Sequence, residues 1–293
     1  MATLKSKFQK GKLLTAPGVF DGVSVRLADA MGFDALYMTG YGTVASHLGL
    51  PDAGLASYRD MVERVRTLSE LSKAPLICDG DTGYGGLLNV DHTVRGYERA
   101  GAAAIQLEDQ EFPKKCGHTP NRKVIPIDQA AAKIKVAAEA RDSADFLIIA
   151  RTDARTAHGL DEALRRAEAF AKAGADILFV EAPESVEEME IIGRSFDLPL
   201  LVNVVEGGKT PVLTAEQYAE IGYQLAIYPA AGFLAVGHAL NSVYATLKRT
   251  GASTELEVPI ADFMTFSKAM GFEDVWKFDR DHADLEAPSQ AAE

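Results

Sequence analysis

The chain has 293 residues, 47% hydrophobic and 25% charged, with a net charge of −12. That composition provides for a large core in one large or two small domains. The acidic balance excludes nucleic-acid binding through a basic face and adhesion to an anionic membrane surface, but not a small anionic substrate held by a local cluster of cations.

Residues 1–14 are polar and lysine-rich, without the apolar segment of a secretory signal, and no run in the chain is long enough to span a bilayer. The two cysteines are Cys78 in an apolar strand and Cys116 in a polar loop. No disulfide is expected between them, which fits a reducing cytoplasm. A short helix over 4–12 leads to a first strand within 13–21, then a helix over 22–31 stopped by Gly32. A second strand, 34–38, ends at Thr39-Gly40-Tyr41-Gly42, and a loop carrying Pro51 and Asp52 precedes a helix over 57–72. Strand three, 75–78, runs into Asp79-Gly80-Asp81-Thr82-Gly83, and a helix over 89–100 closes at Gly101.

Strand four, 102–107, ends on Glu108 and opens into Asp109-Gln110-Glu111-Phe112-Pro113-Lys114-Lys115-Cys116-Gly117-His118. Pro113 and Gly117 break regular structure, so the segment reads as a reactive thiol on a flexible loop. Lysines and a nearby imidazole favour thiolate, and carboxylates oppose it. The alternation then continues: helix 128–139, strand 146–150, helix 160–173, strand 177–180, helix 185–195, strand 200–202, helix 215–221, strand 224–228 and a long helix 230–249.

Short continuous apolar runs suit parallel strands buried on both faces, with helices as the crossovers between them. Eight βα units in roughly 250 residues fit an α/β fold, the (β/α)8 TIM-type barrel. The alternative, a doubly wound open sheet, lacks its Gly-rich phosphate turn after the first strand. The barrel is assigned to 1–254, and 255–293 to a C-terminal helical extension and tail. Ile260, Phe263, Met264, Phe272, Val275 and Phe278 make that extension too apolar to be solvated, so it packs on its own barrel or on a neighbouring subunit.

A barrel of this type carries its active site at the C-terminal ends of the strands. Those ends here bear Thr39, Asp79, Asp81, Glu108, Arg151, Glu181 and Asn203. Asp79 and Asp81, two apart, point to one side of an extended segment. Glu108 stands on the adjacent strand, and Asp52 joins from its loop. Acidic oxygens without clustered His or Cys suit Mg2+ or Mn2+ rather than Zn2+; the plainer alternative makes Asp79 a strand cap and Asp81 a turn cap. Arg151 is either the fork for a substrate carboxylate or the partner of Glu181 in a structural ion pair. Asn203 can donate to a substrate oxygen. Tyr37 points either inward or towards the helices. His47, His92, His158, His238 and His282 show no ligand spacing.

Asp79-Gly80-Asp81-Thr82-Gly83-Tyr84-Gly85, Glu108-Asp109-Gln110, Lys114-Lys115-Cys116-Gly117-His118 and Ala150-Arg151-Thr152-Asp153-Ala154, in this order and spacing, resemble the isocitrate lyase and phosphoenolpyruvate mutase superfamily over about residues 18–247. The Lys-Lys-Cys-Gly-His stretch is similar to its short-chain group, the 2-methylisocitrate, 2,3-dimethylmalate and 2-alkylmalate lyases. The resemblance implies a magnesium site, with manganese as a substitute, from Asp52, Asp79, Asp81 and Glu108, partly through water. It implies that Thr39, Gly40 and Tyr41 hold the 2-oxo acid carboxylate near Arg151, and that Gly117, Glu181 and Asn203 line the pocket. Tyr37 is implied in proton transfer, His118 in contacting substrate or orienting the site, and Lys114 as a further catalytic group of the loop.

The reaction so implied is reversible cleavage of a 2-hydroxy dicarboxylic acid to a 2-oxo acid, such as pyruvate, and a carboxylic acid, with Cys116 as general acid. The protein is expected to be a cytoplasmic homo-oligomer, a tetramer that exchanges its C-terminal helices, without nucleic-acid or membrane partners. Hydrolysis of oxaloacetate to oxalate and acetate is the main alternative. Phosphonopyruvate chemistry is disfavoured by Cys116, and a non-catalytic barrel by the full set of acidic and loop residues. Thr39 stands where methylisocitrate lyases usually have Ser, and Gly80 where many have Ala. The stretch 203–211 looks more like the dimethylmalate and alkylmalate lyases.

Overall fold

Eight short aliphatic runs become eight strands: β1 (Leu14–Val19), β2 (Leu36–Met38), β3 (Leu76–Asp79), β4 (Ala104–Glu108), β5 (Leu147–Thr152), β6 (Ile177–Val180), β7 (Leu200–Asn203) and β8 (Leu225–Tyr228). In this computed structural model, which describes residues 3–117 and 122–286, every strand runs parallel to its neighbours and β8 closes on β1. Closure leaves no edge strand with unpaired backbone groups. This is the (β/α)8 barrel that the sequence predicts.

Side chains on a strand alternate between faces, and the alternation builds two cores. Leu147 and Ile149 of β5 join Ile77, Ala104, Phe179 and Ile227 inside the barrel. Ile148 and Ala150 join Cys78, Ile105 and Leu178 in the layer packed against the helices. Leu4 belongs to the inner cluster and plugs the N-terminal end of the barrel, where Leu14, Leu147 and Leu225 begin their strands. Its helix spans only Leu4–Lys7, capped by Thr3, instead of the predicted 4–12. Phe8 leaves the helix and packs on the inner cluster.

Two helices lie where the sequence suggests loops: Gly40–Leu48 and Ala154–His158. Glycines in the first turn disguise the former, since each costs a helix about 1 kcal/mol relative to Ala. They are required by close packing: a Cβ on Gly40 would collide with the Asp79 carboxylate, and one on Gly42 with Thr39 and Phe20. Thr39 caps this helix by accepting from Gly42 N at 3.4 Å, and Gly49 ends it in the left-handed region at φ 66°.

The chain divides into two compact units, Met1–Gly237 and His238–Glu293. The first holds the barrel strands. The second holds the later turns of the helix Ala231–Thr250 and the helices Phe263–Ala269 and Phe272–Glu286, with Phe263, Met264, Phe272, Val275 and Phe278 exposed. Among the described residues no helix is long and apolar enough to cross a membrane.

Candidate active site

The alternation that fills the barrel interior also selects the site. Continuing the inward set upward from Ala35, Ile77, Ala104, Ile149, Phe179 and Leu201 gives Tyr37 and Thr39, Asp79, Gln106 and Glu108, Arg151, Glu181 and Asn203, all buried. Tyr37 therefore points inward. Tyr37, Thr39, Asp79, Glu108, Arg151 and Asn203 line a cavity of about 270 Å3 at the C-terminal end of the strands, together with Asp52, Tyr41 and Lys114, Lys115, Cys116 and Gly117 of the loop after β4. A larger open cleft of about 590 Å3 lies to one side, near Tyr84, Leu87, Phe112 and Ile125. Its walls carry no cluster of acids or nucleophiles, so the chemistry belongs to the smaller cavity.

Asp79 and Asp81 are brought together differently from the sequence expectation. The segment does not stay extended: Asp81 sits in the left-handed region at φ 47°, unusual for a residue with a Cβ. The turn lets Asp81 N donate to Asp79 Oδ1 at 3.0 Å and sends the Asp81 carboxylate to Lys114, at 2.6 Å. Lys114 also pairs with Asp52 at 2.5 Å. Burial pushes the Asp79, Asp81 and Glu108 carboxyls up, Asp81 to about 6, while Lys114 opposes the rise at both aspartates and Arg151 opposes it at Glu108. Burial likewise disfavours the Lys114 ammonium, but Asp81, Asp52, Glu108 and Asp79 outweigh it and hold its pKa well above normal.

A buried cluster of four carboxylates is the donor chemistry of a hard, oxygen-liganded cation. Glu108 Oε1 is buried without a hydrogen-bond partner among the described residues, as a waiting ligand atom would be. No three His, Cys, Asp or Glu side chains among the described residues converge as a direct coordination shell. Carboxylate oxygens are the ligands that Mg2+ takes, and it usually keeps several waters besides.

Arg151 is held by carboxylates on several sides. Its Nε and Nη2 each donate to Asp153 at 2.9 Å. Nη2 lies 3.2 Å from Glu181 Oε2, Nε lies 3.5 Å from Glu108 Oε2, and the guanidinium stands 5.2 Å from the centre of the Phe179 ring. The ion pair with Glu181 is therefore real, and Arg151 faces the cavity as well. Asn203 Nδ2 donates to Glu181 Oε2 at 3.2 Å, which fixes the amide. Gly117 must lack a side chain, because a Cβ there would strike Arg151 and Glu181.

Sequence reasoning gave no role to the layer beneath. Asp153 takes Arg122 as a second arginine, and Arg122 Nη2 donates to Thr156 Oγ1 at 2.6 Å. Burial works against the Asp153 carboxylate, but Arg151 and Arg122 hold its pKa below normal. Asp109 accepts from Thr152 Oγ1 at 2.7 Å, Asp153 N at 2.9 Å and Arg166 Nη1 at 3.0 Å. Asp109 and Asp153 were visible inside the quoted motifs; Arg122 and Arg166 carried no sequence signal. Gln106 was missed too, although its inward parity on β4 could have found it: Tyr37 donates to its Oε1 at 3.3 Å.

The N-terminus of the helix Gly40–Leu48 meets the cavity at Thr39 and Tyr41, and amides at such a terminus attract a carboxylate. Tyr41 packs against Phe233 at 5.1 Å, and Phe233 against Phe20 at 5.9 Å, forming an aromatic wall. The loop after β4 is stitched at its base. Gln110 bridges Val124, Glu111 N donates to Lys123 O at 2.9 Å, and Ile125 N donates to Asp109 O at 2.9 Å. Higher up, Gln110 Nε2 donates to Lys115 O at 2.8 Å, and Cys116 N donates to Asp52 O at 3.2 Å. Neither Cys116 nor Cys78 forms a disulfide. His118 lies outside the described residues.

A family model described as phosphoenolpyruvate phosphomutase matches residues 4–248. The chain is 42% identical over 282 residues to 2,3-dimethylmalate lyase of Eubacterium barkeri, covering 96% of this chain and 98% of that one. It is 39% identical over 276 residues to 2-methylisocitrate lyase of Aeropyrum pernix, covering 94% and 89%. Oxaloacetate acetylhydrolase bound to 3,3-difluorooxalacetate superposes with a TM-score of 0.88 at 34% identity, covering 94% and 93%. Phosphonopyruvate hydrolase in complex with oxalate and Mg2+ gives 0.83 at 29% identity, covering 92% and 94%.

Proposed function

The chain belongs to the phosphoenolpyruvate phosphomutase family, and we propose that within it the protein is a magnesium-dependent lyase that cleaves a 2-alkylmalate-type acid into a 2-oxo acid and a carboxylic acid. The observation that carries this reading is the presence of Cys116 in one small cavity with Asp52, Asp79 and Glu108. A general acid able to protonate carbon, beside a cation site, is what C–C cleavage needs.

In this reading the amides at Gly40 and Tyr41 bind the substrate's C1 carboxylate, and Arg151, clamped by Asp153 and Glu181, adds positive charge beside it. Asp52, Asp79, Asp81 and Glu108 would hold Mg2+, which would supply Lewis acidity to the substrate's oxygens. The C2 hydroxyl passes its proton to a carboxylate of the cavity, and C2 becomes a carbonyl. The C2–C3 electron pair passes to the departing acid as an enediolate. Cys116 gives its thiol proton to C3, and the thiolate regains a proton from solvent. Burial and the neighbouring Asp79 hold the Tyr37 hydroxyl far above its ordinary pKa, so Tyr37 orients by hydrogen bonding and stays protonated.

Val205, Ile227, Phe233 and Leu234 give the cavity an apolar side, which suits an alkyl substituent on C3 better than a third carboxylate. Incubation with Mg2+ and a panel of 2-alkylmalates, 2,3-dimethylmalate, 2-methylisocitrate and oxaloacetate tests this, with products identified by mass. The highest kcat/KM is expected for an alkyl- or dimethylmalate. A markedly higher value for methylisocitrate would reverse the substrate ranking and leave the lyase assignment standing; oxalate and acetate as the sole products would favour the hydrolase. The hydrolase reading is supported by the oxaloacetate acetylhydrolase superposition.

We place the protein in the cytoplasm, where a catalytic thiol stays reduced, as a homotetramer whose C-terminal helices are exchanged. The exposed Phe263, Phe272 and Phe278 favour burial against another subunit. Light scattering at micromolar concentration should give an oligomer, and a monomer would sink the exchange.

A further inference from the structure

The layer beneath the cavity keeps its own charge balance. Asp109 and Asp153 are both buried, and each has an arginine that does not line the cavity. Arg166 Nη1 donates to Asp109 at 3.0 Å, and Arg122 pairs with Asp153. Arg122 is itself buried, and its Nη2 donates to Thr156 Oγ1 at 2.6 Å. Its planar fork thus spans a carboxylate and a hydroxyl at the start of the helix Ala154–His158.

Arg151, by contrast, lines the cavity. Its guanidinium touches the carboxylates of Asp153, Glu181 and Glu108. One cation among three anions has no net positive charge to offer a substrate, so each carboxylate needs another partner. Glu181 receives the Asn203 amide at 3.2 Å. Glu108 is among the acids assigned to Mg2+ above. Asp153 is left to Arg122, which shares the Asp153 Oδ1 oxygen with Arg151 Nη2. A carboxylate has room for both arginines, because its two oxygens offer about four acceptor sites.

We infer that Arg122 is a positioning residue for the substrate carboxylate: by neutralising Asp153 it leaves the charge of Arg151 available to the cavity, while Asp153 still holds the guanidinium in place. This rests on the reading that Arg151 meets the substrate's carboxylate. Charges in a buried site are weakly screened, so a change of balance at Asp153 is felt on the cavity side of Arg151. Without Arg122, Asp153 and Arg151 neutralise each other, and an incoming carboxylate meets Glu181 and Glu108 with less to attract it. Were Arg122 a support of the fold alone, its removal would lower stability and leave ligand affinity intact.

The probe is oxalate, titrated calorimetrically into the full chain with saturating Mg2+. Arg122→Gln is expected to bind it about tenfold more weakly than wild type or worse. KM for the preferred substrate should rise by a similar factor with a smaller change in kcat, the mark of lost binding rather than lost chemistry. Arg122→Lys keeps the charge and should recover most of the loss. Arg151→Met should also bind oxalate weakly. Intact affinity in Arg122→Gln beside weak binding by Arg151→Met overturns the role of Arg122 alone, as does failure of Arg122→Lys to recover binding. Unchanged binding by Arg151→Met, or none by wild type, removes the reading of Arg151 and this inference with it.

Thr156→Asp covers the case in which Arg122→Gln does not fold. It gives Arg122 a second carboxylate in place of a hydroxyl and draws its charge away from Asp153. Ala157→Asp puts the same charge on the exposed next position and controls for the general field. Oxalate binding should weaken several-fold in Thr156→Asp and stay near wild type in Ala157→Asp; equal affinities in the two overturn the inference.

Discussion

Exhaustive chelation is expected to abolish turnover, and added Mg2+ or Mn2+ to restore it. Asp52, Asp79, Asp81 and Glu108 cluster around Lys114. A substrate bearing two carboxylates would add more negative charge to a buried cluster already in deficit of cations. Without a dication, binding of that substrate is opposed, and the C2 oxygen lacks the several kcal/mol of charge stabilisation that a Lewis acid contributes. Steady-state assays on metal-stripped protein, with elemental analysis of the same sample, decide the matter. Undiminished activity with no metal detected would refute the site.

Cys116→Ser should lose on the order of 10²-fold or more in turnover, the ordinary worth of general acid catalysis. Serine keeps the size and removes the acidity. Product binding should change far less, because the carboxylate cluster, Arg151 and the helix terminus at Gly40 remain. In deuterium oxide the wild-type carboxylic acid product should carry deuterium at the former C3. Near-normal turnover of Cys116→Ser with deuterium still incorporated would assign the protonation to another group or to water. Cys78 does not confuse the experiment: it is fully buried in the layer beneath the helices.

The barrel was readable because its strands are short and apolar on both faces, and because glycines such as Gly32, Gly101 and Gly174 stop the helices between them. The site was readable for a related reason. Strand ends in a barrel converge, so Asp79, Glu108, Arg151, Glu181 and Asn203 meet although they are spread over more than a hundred residues. What stayed hidden depends on contacts between segments distant in sequence. Tyr37 could not be oriented until the strand parity was fixed by closure. The helix Gly40–Leu48 was masked by glycines whose necessity comes from Asp79 and Phe20. The left-handed turn at Asp81 follows from no local signal, since aspartate is not the residue that such a conformation favours most. The arginines beneath the site, Arg122 and Arg166, look like surface charges until Asp153 and Asp109 are placed opposite them.

The loop that carries Cys116 leaves and rejoins the barrel at one seam, where Gln110 meets Val124 and Asp109 meets Ile125. A segment closed at its own base is a cassette. Its length and residues can be exchanged without disturbing strand pairing, because no barrel strand lies within it, provided that Arg122 is kept as the partner of Asp153. One scaffold can thereby host different reactions at the same cluster of acids, with the barrel supplying Asp79 and Glu108 and the cassette supplying whichever group meets the reacting carbon. For protein engineering this locates the graft points: a loop taken from a relative and joined at Gln110 and Val124 brings its chemistry along with it and leaves the barrel's hydrogen-bonded frame in place.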